Sequence, residues 1–426
     1  MRLTAFLCLL WPALPLAAEA QEAGVDLAGE WSGAWSRSAD TLAVTMRFAE
    51  HDGAWSGSFD SPRLRVEGIP FTSVRFEPPR VTIEMVGDGT TLSFEGHLQG
   101  DTLSGTLREE GDTGWFSTTR ATGAPPTPSE VDVRFSNADV ELAGTLVLPS
   151  GPGPHSAVVF LHGSGAEGRW ATRYLARRFA ERGFAALIWD KRGVGESTGA
   201  WTEADFEDLA ADAAAAVALL RARPEIDPEH VGIHGHSQGG TIAPLVAVRS
   251  DADFVIASAA AGVPMADSEI YSLENFLGVA SLPEAEAALA REYVRIIVDA
   301  AYRGGARDSI DAVAARARGH AWFFEPPATD DPYWWFSSVI ADFDALRWWR
   351  QVRVPVLLVY GSADERVPIE PSRAGIVGAL REAGGVVEVR VFDGADHTFR
   401  VRREGDVWPR TVEGYPDAIL DWMQRL

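Results

Sequence analysis

The chemistry in this sequence centres on a serine that stands between glycines. Ser237 lies in the run Gly235-His236-Ser237-Gln238-Gly239. The apolar segment Val231–His234 precedes this run, and a helix-forming stretch follows it as far as Arg249. A G-x-S-x-G motif between a strand and a helix exposes a serine hydroxyl, because the glycines permit a sharp turn and a close approach of helix to strand. The pattern predicts Ser237 as the nucleophile of an acyl-transfer reaction.

A serine hydroxyl is a weak nucleophile at neutral pH and needs a base, normally a histidine that a carboxylate orients. In enzymes with this motif the histidine follows the serine in the chain, and here only His320 and His397 do so. His397 lies in a turn-rich loop after the last apolar segment, where the groups of an α/β site gather. We therefore predict His397 as the base and His320 as a surface or cap histidine.

The orienting carboxylate is expected between the serine and the histidine, in a loop that follows a strand. The segment Pro355–Tyr360 leads into Gly361-Ser362-Ala363-Asp364-Glu365, which favours Asp364. Glu365 and Asp267 are the alternatives. Asp396 is adjacent to His397, and because its side chain cannot easily reach round to that ring, we interpret it as structural.

An acyl-transfer intermediate carries an oxyanion, which backbone N–H groups must stabilise. One donor is expected from the residue after the nucleophile, Gln238. The other is expected from the loop His162-Gly163-Ser164-Gly165, with Ser164 favoured and Gly163 or Gly165 possible. His162 is interpreted as a brace for that loop.

The elements around these residues alternate between apolar strands and helices from residue 131 onwards. Continuous apolar strands separated by helices predict a mainly parallel sheet that is covered on both faces. The predicted strands are Val131–Phe135, Val140–Leu148, Ala157–Leu161, Phe184–Trp189, Val231–His236, Phe254–Ser258, Pro355–Tyr360 and Val386–Phe392. The predicted helices are Arg169–Arg182, Ala204–Arg223 and Pro371–Ala383.

Residues 263–350 interrupt this rhythm with alanine-rich, helix-like segments, and an insertion of this kind is typically a cap over the site. Five tryptophans lie in it: Trp322, Trp334, Trp335, Trp348 and Trp349. They either pack the cap or line an apolar pocket for the substrate.

The region before residue 121 has a different pattern. Short alternating runs separated by Gly-Asp or Asp-Gly turns predict seven or eight antiparallel strands in a small barrel or sandwich over residues 21–120. Residues 121–130 are rich in proline and polar residues and are predicted to be a linker.

Residues 1–20 fit a secretory signal peptide: Arg2, an apolar run from Ala5 to Ala18, and the Ala18-Glu19-Ala20 cleavage pattern. Cleavage would remove Cys8, the single cysteine in 426 residues, so the sequence allows no intramolecular disulfide and no cysteine-based metal site. We therefore expect a periplasmic or secreted bacterial protein.

The charge balance limits the classes of partner. The chain has 61 acidic residues against 38 Lys and Arg residues, a net charge of −23. Because nucleic-acid binding needs a positive surface, this balance argues against a nucleic-acid partner. It also argues mildly against anionic substrates, although arginines such as Arg169 or Arg347 could reverse the field locally. No segment of the expected mature chain is apolar for long enough to span a membrane.

Taken together, residues 131–426 resemble the α/β-hydrolase superfamily. The serine motif, the H-G-S-G loop, Asp364 and His397 occur in that family's order, and Asp190-Lys191-Arg192-Gly193 opens a turn similar to the family's D-x-R-G-x-G-x-S turn. The resemblance is to bacterial esterases of the dienelactone-hydrolase and serine-aminopeptidase type. It implies an α/β-hydrolase fold with a helical cap, preceded by the small all-β domain, and assigns Lys191 and Arg192 to a structural turn.

By this resemblance the reaction is hydrolysis of a small carboxylic ester, without a metal or cofactor. A peptidase or aminopeptidase with the same triad is the alternative, in which Glu269, Glu274 or Glu325 would hold the substrate's ammonium group. A third hypothesis is a ligand-binding protein with an inactive hydrolase half. The cluster His230, His234 and His236 is interpreted as part of a strand and its turn, and not as a zinc site.

Overall fold

The computed structural model describes residues 26–87, 90–109, 111–121 and 128–426. The expected signal peptide and most of the expected linker lie outside these residues. The described residues form two large sheets, one before and one after the linker segment. Each sheet has its own apolar core.

The first sheet contains nine antiparallel strands in the order β4-β3-β2-β1-β9-β8-β7-β6-β5. Its strands are β1 Gly29–Arg37, β2 Asp40–His51, β3 Ala54–Ser61, β4 Val66–Pro70, β5 Ser73–Glu77, β6 Arg80–Gly87, β7 Thr90–Gln99, β8 Thr102–Glu109 and β9 Asp112–Arg120. The Phe71 N–H donates to Gly57 O at 2.9 Å and the Thr72 N–H to Glu84 O at 2.8 Å, which brings the two ends of the sheet together. The domain is therefore one curled sheet of the barrel type, and the alternative of a two-sheet sandwich is wrong.

Alternation of side chains determines which face of this sheet is buried. Along β2, Leu42, Val44 and Met46 point inward, while the residues between them are more exposed. Because successive side chains of a strand point to opposite faces, this period of two places one apolar face inside the curl. Trp35 and Phe94 lie at its centre with ring centroids 4.8 Å apart.

The second sheet is mainly parallel and has the order β10-β11-β13-β12-β14-β15-β16-β17. Its strands are β10 Ser129–Asn137, β11 Val140–Leu148, β12 His155–Leu161, β13 Ala185–Trp189, β14 Ile226–His236, β15 Val255–Ser258, β16 Val356–Gly361 and β17 Val387–Phe392. Strands β10 and β11 are antiparallel and the strands after them are parallel. This confirms the predicted fold class.

Helices cover both faces of the second sheet, as the continuous apolar strands require. These are α1 Arg173–Glu181, α2 Phe206–Arg221, α3 Gln238–Ser250, α9 Ile369–Glu382 and α10 Asp417–Met423. Helix α2 begins with a capping box, in which Asp205 accepts from the Asp208 N–H and the Asp208 carboxylate accepts from the Asp205 N–H.

Between β15 and β16 the chain forms a helical layer with its own apolar core around Tyr293 and Ile297. Its helices are α4 Met265–Phe276, α5 Glu284–Arg303, α6 Asp308–Ala317, α7 Pro332–Ile340 and α8 Ala345–Trp349. The insertion therefore forms a cap over the carboxyl ends of the strands. In the part of the chain that the structure describes, no helix is long and apolar enough to cross a membrane.

A small hairpin near the C-terminus joins the two halves. Strands β18 Arg400–Val401 and β19 Arg410–Thr411 follow β17, and the loop between them carries Trp408 into the core of the first domain. Asp40 of the first domain accepts the Val407 N–H at 2.9 Å and the Trp408 N–H at 3.1 Å. Arg63 binds Asp40 at 2.9 Å and the Trp408 carbonyl at 2.6 Å. Polar and apolar contacts thus bind the two domains together.

Candidate active site

Ser237 lies at a sharp turn between β14 and α3. Its backbone has φ 56° and ψ −118°, a combination that costs a non-glycine residue conformational energy and that marks a nucleophile elbow. The turn depends on close backbone contact, since a Cβ atom on Gly235 would lie 2.2 Å from the Gly239 carbonyl oxygen. The Ser237 N–H donates to Ser258 O at 2.9 Å, which ties the turn to the next strand.

The structure brings three of the predicted residues into a line of hydrogen bonds. His397 Nε2 lies 2.9 Å from Ser237 Oγ, and His397 Nδ1 lies 3.0 and 2.9 Å from the two carboxylate oxygens of Asp364. Asp364 is 2% exposed and His397 is 4% exposed. This geometry can move a proton from the serine to the imidazole while the carboxylate stabilises the imidazolium.

The Asp364 carboxylate is held by its own loop. Its Oδ1 accepts the Arg366 and Val367 N–H groups, each at 2.8 Å, and the Tyr271 hydroxyl of the cap donates to the Asp364 carbonyl at 2.8 Å. These bonds leave the carboxylate facing His397. The cap therefore contacts the acid loop as well as covering the pocket.

The alternative acids have other partners. Glu365 accepts the His397 N–H at 3.1 Å, so it contacts the backbone of the histidine and not its ring. Asp267 pairs with Arg303 on the cap at 3.3 Å, and Asp396 accepts the Thr398 and Arg400 N–H groups. Among the weighed carboxylates, Asp364 alone reaches the imidazole.

The other histidines near the motif have structural contacts. His236 Nε2 donates to the His397 carbonyl at 2.9 Å, and burial lowers the pKa of His236 to about 4. His162 Nε2 donates to Trp189 O at 2.6 Å, and burial lowers its pKa to about 3, which agrees with the predicted brace. His320 stacks on Trp322 in the cap and lies 3.2 Å from Glu286.

The three histidines of the motif strand do not converge. His230 is exposed and lies 2.9 Å from Asp227, whereas His234 is buried and lies 3.0 Å from Ser258 Oγ. Within the described ranges, no group of three or more His, Cys, Asp or Glu residues could hold a metal ion.

The backbone N–H of Gln238 is the first of helix α3, where an N–H has no acceptor within the helix. It lies directly after Ser237, beside the expected position of the oxyanion. In the facing loop, the Gly163 N–H donates to the Glu167 carboxylate at 2.6 Å, while Ser164 is exposed to the pocket. Of the two residues, Ser164 is thus the more accessible to a substrate.

Lys191 contacts the expected oxyanion site, and the sequence does not predict these contacts. Its ammonium donates to the carbonyls of Gly163 at 2.7 Å and Gly165 at 3.0 Å, and to Gln238 Oε1 at 3.1 Å. The side chain is 2% exposed, and burial lowers its pKa to about 8, which the nearby Glu167 carboxylate partly opposes. Lys191 thus connects both halves of the expected oxyanion site.

A pocket of about 370 Å³ opens above Ser237. Phe206, Phe336 and Tyr302 supply its aromatic wall.

The cap tryptophans lie outside this pocket. Trp349 is fully buried in the core of the second domain, and Trp322 is buried in the core of the cap. None of the five cap tryptophans lines this pocket; four of them pack against apolar cores, and Trp335 is 42% exposed.

One carboxylate of the cap faces the pocket. Of the three glutamates proposed to hold an ammonium group, Glu269 lines the cavity, while Glu325 pairs with Arg318 at 2.9 Å outside it. Burial raises the pKa of the Glu269 carboxyl, and Arg366 opposes this shift.

Comparison with known proteins agrees with this architecture. Residues 152–301 match the family described as serine aminopeptidase, S33, a segment that contains Ser237 but ends before Asp364. Esterase EstD of Thermotoga maritima is 26% identical over 322 residues, which cover 70% of this chain and 69% of that protein. The quorum-quenching protein AidA of Acinetobacter baumannii is 34% identical over 111 residues, 26% of this chain and 36% of that protein. The chain thus spans about a third of AidA.

Among solved structures, an esterase of Pyrococcus furiosus has 19% sequence identity and a TM-score of 0.44, covering 72% of this chain and 92% of that one. The class of the protein follows from its own sheet order, its strand–turn–helix serine and the family match. The second sheet and its helices have the α/β-hydrolase fold, and residues 152–301 match the family described as serine aminopeptidase, S33.

Proposed function

We propose that the protein is a serine hydrolase that cleaves carboxylic esters through an acyl-enzyme intermediate. The hydrogen bond between Ser237 Oγ and His397 Nε2, with Asp364 on the far side of the ring, carries the proposal. The similarity to an esterase over most of the chain supports the substrate class. The pocket beside Ser237, with one aromatic wall, fits a small ester that has an apolar part.

In the acylation step Ser237 Oγ attacks the ester carbonyl carbon while His397 Nε2 takes the serine proton. The carbon–oxygen bond to the alcohol then breaks, and the same nitrogen returns the proton to the leaving alcohol. In deacylation a water molecule attacks the acyl carbonyl carbon and gives a proton to His397. The bond between this carbon and Ser237 Oγ then breaks, and His397 returns the proton to Ser237 Oγ, which releases the carboxylic acid and the free serine. Asp364 keeps Nδ1 protonated and stabilises the imidazolium.

Both tetrahedral intermediates carry a negative oxygen that needs donors. We assign the backbone N–H groups of Gln238 and Ser164 to this role. The accessibility of Ser164 supports this choice, and so does the hydrogen bond that engages the Gly163 N–H with Glu167.

We also propose that the protein is exported. The proposal rests on the signal-peptide pattern of residues 1–20. N-terminal sequencing of the protein from its host's culture fluid or periplasm would give Gln21 as the first residue, whereas an intact Met1 in the cytoplasm would contradict it.

The direct test is a panel of p-nitrophenyl esters with acyl chains of increasing length. The wild type should hydrolyse the short esters, and Ser237→Ala should lower kcat by at least about 10⁴-fold, since loss of a serine nucleophile removes the covalent pathway. Ser250→Ala, at the far end of the same helix, is the matched control and should retain the wild-type rate. Equal rates for Ser237→Ala and wild type would overturn the proposal.

An aminopeptidase is the second candidate, because Glu269 lines the pocket. Under this alternative aminoacyl-p-nitroanilides with a free α-amine would be better substrates than the esters, and Glu269→Gln would lower their kcat/KM at least tenfold. Glu274→Gln, on the same helix, would have no such effect. A wild type that cleaves esters and leaves these anilides intact would exclude this alternative.

A further inference from the structure

A second cavity lies beside the active-site pocket, between the two domains. It has a volume of about 240 Å³. The first domain contributes Leu64, Arg65 and Val66, and the hydrolase domain contributes the opposite wall, which includes Arg400. Gly163, Glu167, His236 and Thr398 line both this cavity and the pocket above Ser237. The two cavities therefore adjoin at the expected oxyanion loop and at the residue after His397.

Two arginines of this cavity have no hydrogen-bonded carboxylate partner among the described residues. Arg65 Nη1 is fully buried and has no hydrogen-bond partner. The Arg400 side chain forms neither a hydrogen bond nor an ion pair with any described residue, and burial lowers its pKa. The Asp396 carboxylate is near Arg400 but accepts the N–H groups of its own loop.

Arg65 and Arg400 are both half-buried, and a partly buried cation without a hydrogen-bonded partner is unfavourable, because part of its hydration is lost and nothing replaces it. Two neighbouring arginines of the domain interface differ in this respect. Arg63 binds Asp40 and Asp406, and Arg177 binds Glu67 and Glu130. Carboxylates thus neutralise Arg63 and Arg177, whereas Arg65 and Arg400 border the cavity without such an ion pair.

The groups around the cavity fit a carboxylate. The hydroxyls of Tyr174 and Tyr415 lie within electrostatic range of Arg65, and Phe399 and Leu175 supply an apolar surface. Guanidinium groups bind carboxylates through strong, charge-assisted hydrogen bonds. Glu167 and Asp396 each place one carboxylate near the cavity, against the two guanidinium groups, so binding of a carboxylate depends on the unpaired Arg65 Nη1 donor and on the Arg400 guanidinium.

We propose that this cavity is an anion subsite in which Arg65 and Arg400 bind a carboxylate at the far end of an ester whose carbonyl lies at Ser237. The inference rests on the proposed esterase function and names its substrate class: esters with a carboxylate-bearing arm. It also gives the first domain a role, because Arg65 belongs to that domain. Arg169 and Arg347, the cations suggested by the sequence, do not line the cavity, and Arg169 is bound to Asp190.

The test uses mono-p-nitrophenyl esters of linear dicarboxylic acids with four to eight carbons. Each is compared with its analogue of equal length in which the distal carboxylate is a methyl ester. The ratio of the two kcat/KM values should exceed one and reach about tenfold at the best length, since hydrogen bonds to a charged group are stronger than those to a neutral one. Without a subsite, the net charge of −23 would repel the anionic esters and give a ratio of one or less. Such a ratio at every length would therefore overturn the subsite.

Arg65→Gln and Arg400→Gln should each reduce this ratio towards one, and Arg65→Lys should keep part of it. Arg80→Gln is the matched control, since Arg80 is exposed on the same domain and its loss removes the same charge far from the cavity.

If a variant fails to fold, the length series on the wild type still tests whether the subsite exists. Hydrolysis of the methyl-capped esters without a preference for the anions would refute the subsite alone. Absence of all ester hydrolysis would refute the proposed function.

Discussion

At the scale of the residue, Ser237, Asp364 and His397 could be predicted because each has a local signature. The serine lies in a glycine-bounded turn, and the other two lie in loops directly after apolar strands. The carboxyl ends of parallel strands meet at one edge of a sheet, so residues 160 positions apart come together there. His397 and Ser237 form a hydrogen bond over that separation.

Lys191 could not be predicted in the same way. Its neighbour Arg192 fits the expected structural turn and pairs with the buried Asp212 at 2.7 Å. Lys191 instead binds two backbone carbonyls and an amide oxygen, acceptors that leave no mark in a sequence. The only unusual property of Lys191 in the sequence is that it is the single lysine of the chain.

Replacing Lys191 should therefore impair catalysis more than substrate binding. Lys191→Met leaves the carbonyls of Gly163 and Gly165 without their donor, so the expected oxyanion loop loses its position. We expect kcat to fall about 10- to 100-fold with little change in KM, somewhat less than the loss of an oxyanion donor itself. Lys191→Arg, which keeps the charge and the donors, should restore part of kcat. Steady-state kinetics on protein of verified folded fraction measures this, and an unchanged kcat would contradict the assignment.

The lowered pKa of Lys191 predicts opposite effects of rising pH on activity and on stability. Its pKa is about 8 in the folded protein against 10.5 in the unfolded chain. Between these values the unfolded chain binds more protons, so the titration of this group favours folding as the pH rises. The ammonium that holds the loop is lost over the same range, so kcat should fall.

Because the chain has one lysine, protein labelled with ¹³C-lysine should give a single side-chain NMR signal. This signal should titrate near pH 8, together with the alkaline decline of kcat. A lysine signal that titrates at its ordinary value above pH 10 would contradict the prediction.

At the scale of the element, the strands of the parallel sheet were predictable because they are buried on both faces and are continuously apolar. The elements that local pattern does not identify are short or lie at an edge. Strands β4 and β5 have five residues each, and the strands of the C-terminal hairpin have two each. Such segments take their structure from contacts distant in the chain, so local pattern does not identify them.

The C-terminal hairpin depends on Asp40, whose carboxylate accepts from Arg63 and from the N–H groups of Val407 and Trp408. Its hydrogen bond with Arg63 holds the pKa of Asp40 far below its usual range. Asp40→Asn should lower the free energy of unfolding by about 2–3 kcal/mol, since it removes the charge from the hydrogen bonds that Arg63 forms with this residue and leaves Asp406 as the only carboxylate bound to Arg63 among the described residues. Chemical denaturation at pH 7 measures this.

A lowered carboxyl pKa stabilises the fold above the unfolded value of 3.8, so the difference between Asp40→Asn and wild type should shrink as the pH falls below 4. Asp101→Asn is the control, because Asp101 forms an exposed ion pair with Arg120, and such pairs contribute little. Equal effects of the two substitutions would contradict the role of Asp40.

At the scale of the whole molecule, the two domains are connected by a segment that begins close to the active site. Arg400 lies three residues after His397, and Trp408 reaches the core of the first domain. The pattern of the sequence indicates two domains but not this connection, because Trp408 lies nearly 300 residues from that core in the chain. Folding of the first domain and the position of the His397 loop are thus coupled.

Trp408→Ala should therefore destabilise both domains together. Trp408 is 8% exposed, and removing a buried tryptophan side chain costs about 3–5 kcal/mol. We expect a single unfolding transition at lower temperature, with activity lost in the same transition. Trp115→Ala is the control, because Trp115 is 53% exposed on the same domain. Two separate transitions in calorimetry, with activity surviving the first, would contradict the coupling.

Labelling by a fluorophosphonate is the most direct test of whether Ser237 is a nucleophile that His397 activates. Intact-mass and peptide mass spectrometry of the wild type should find one adduct, on Ser237. The adduct should be absent in Ser237→Ala and should form much more slowly in His397→Ala. A wild type that stays unlabelled, or an adduct that persists in Ser237→Ala, would contradict the account and favour a binding protein with an inactive hydrolase domain.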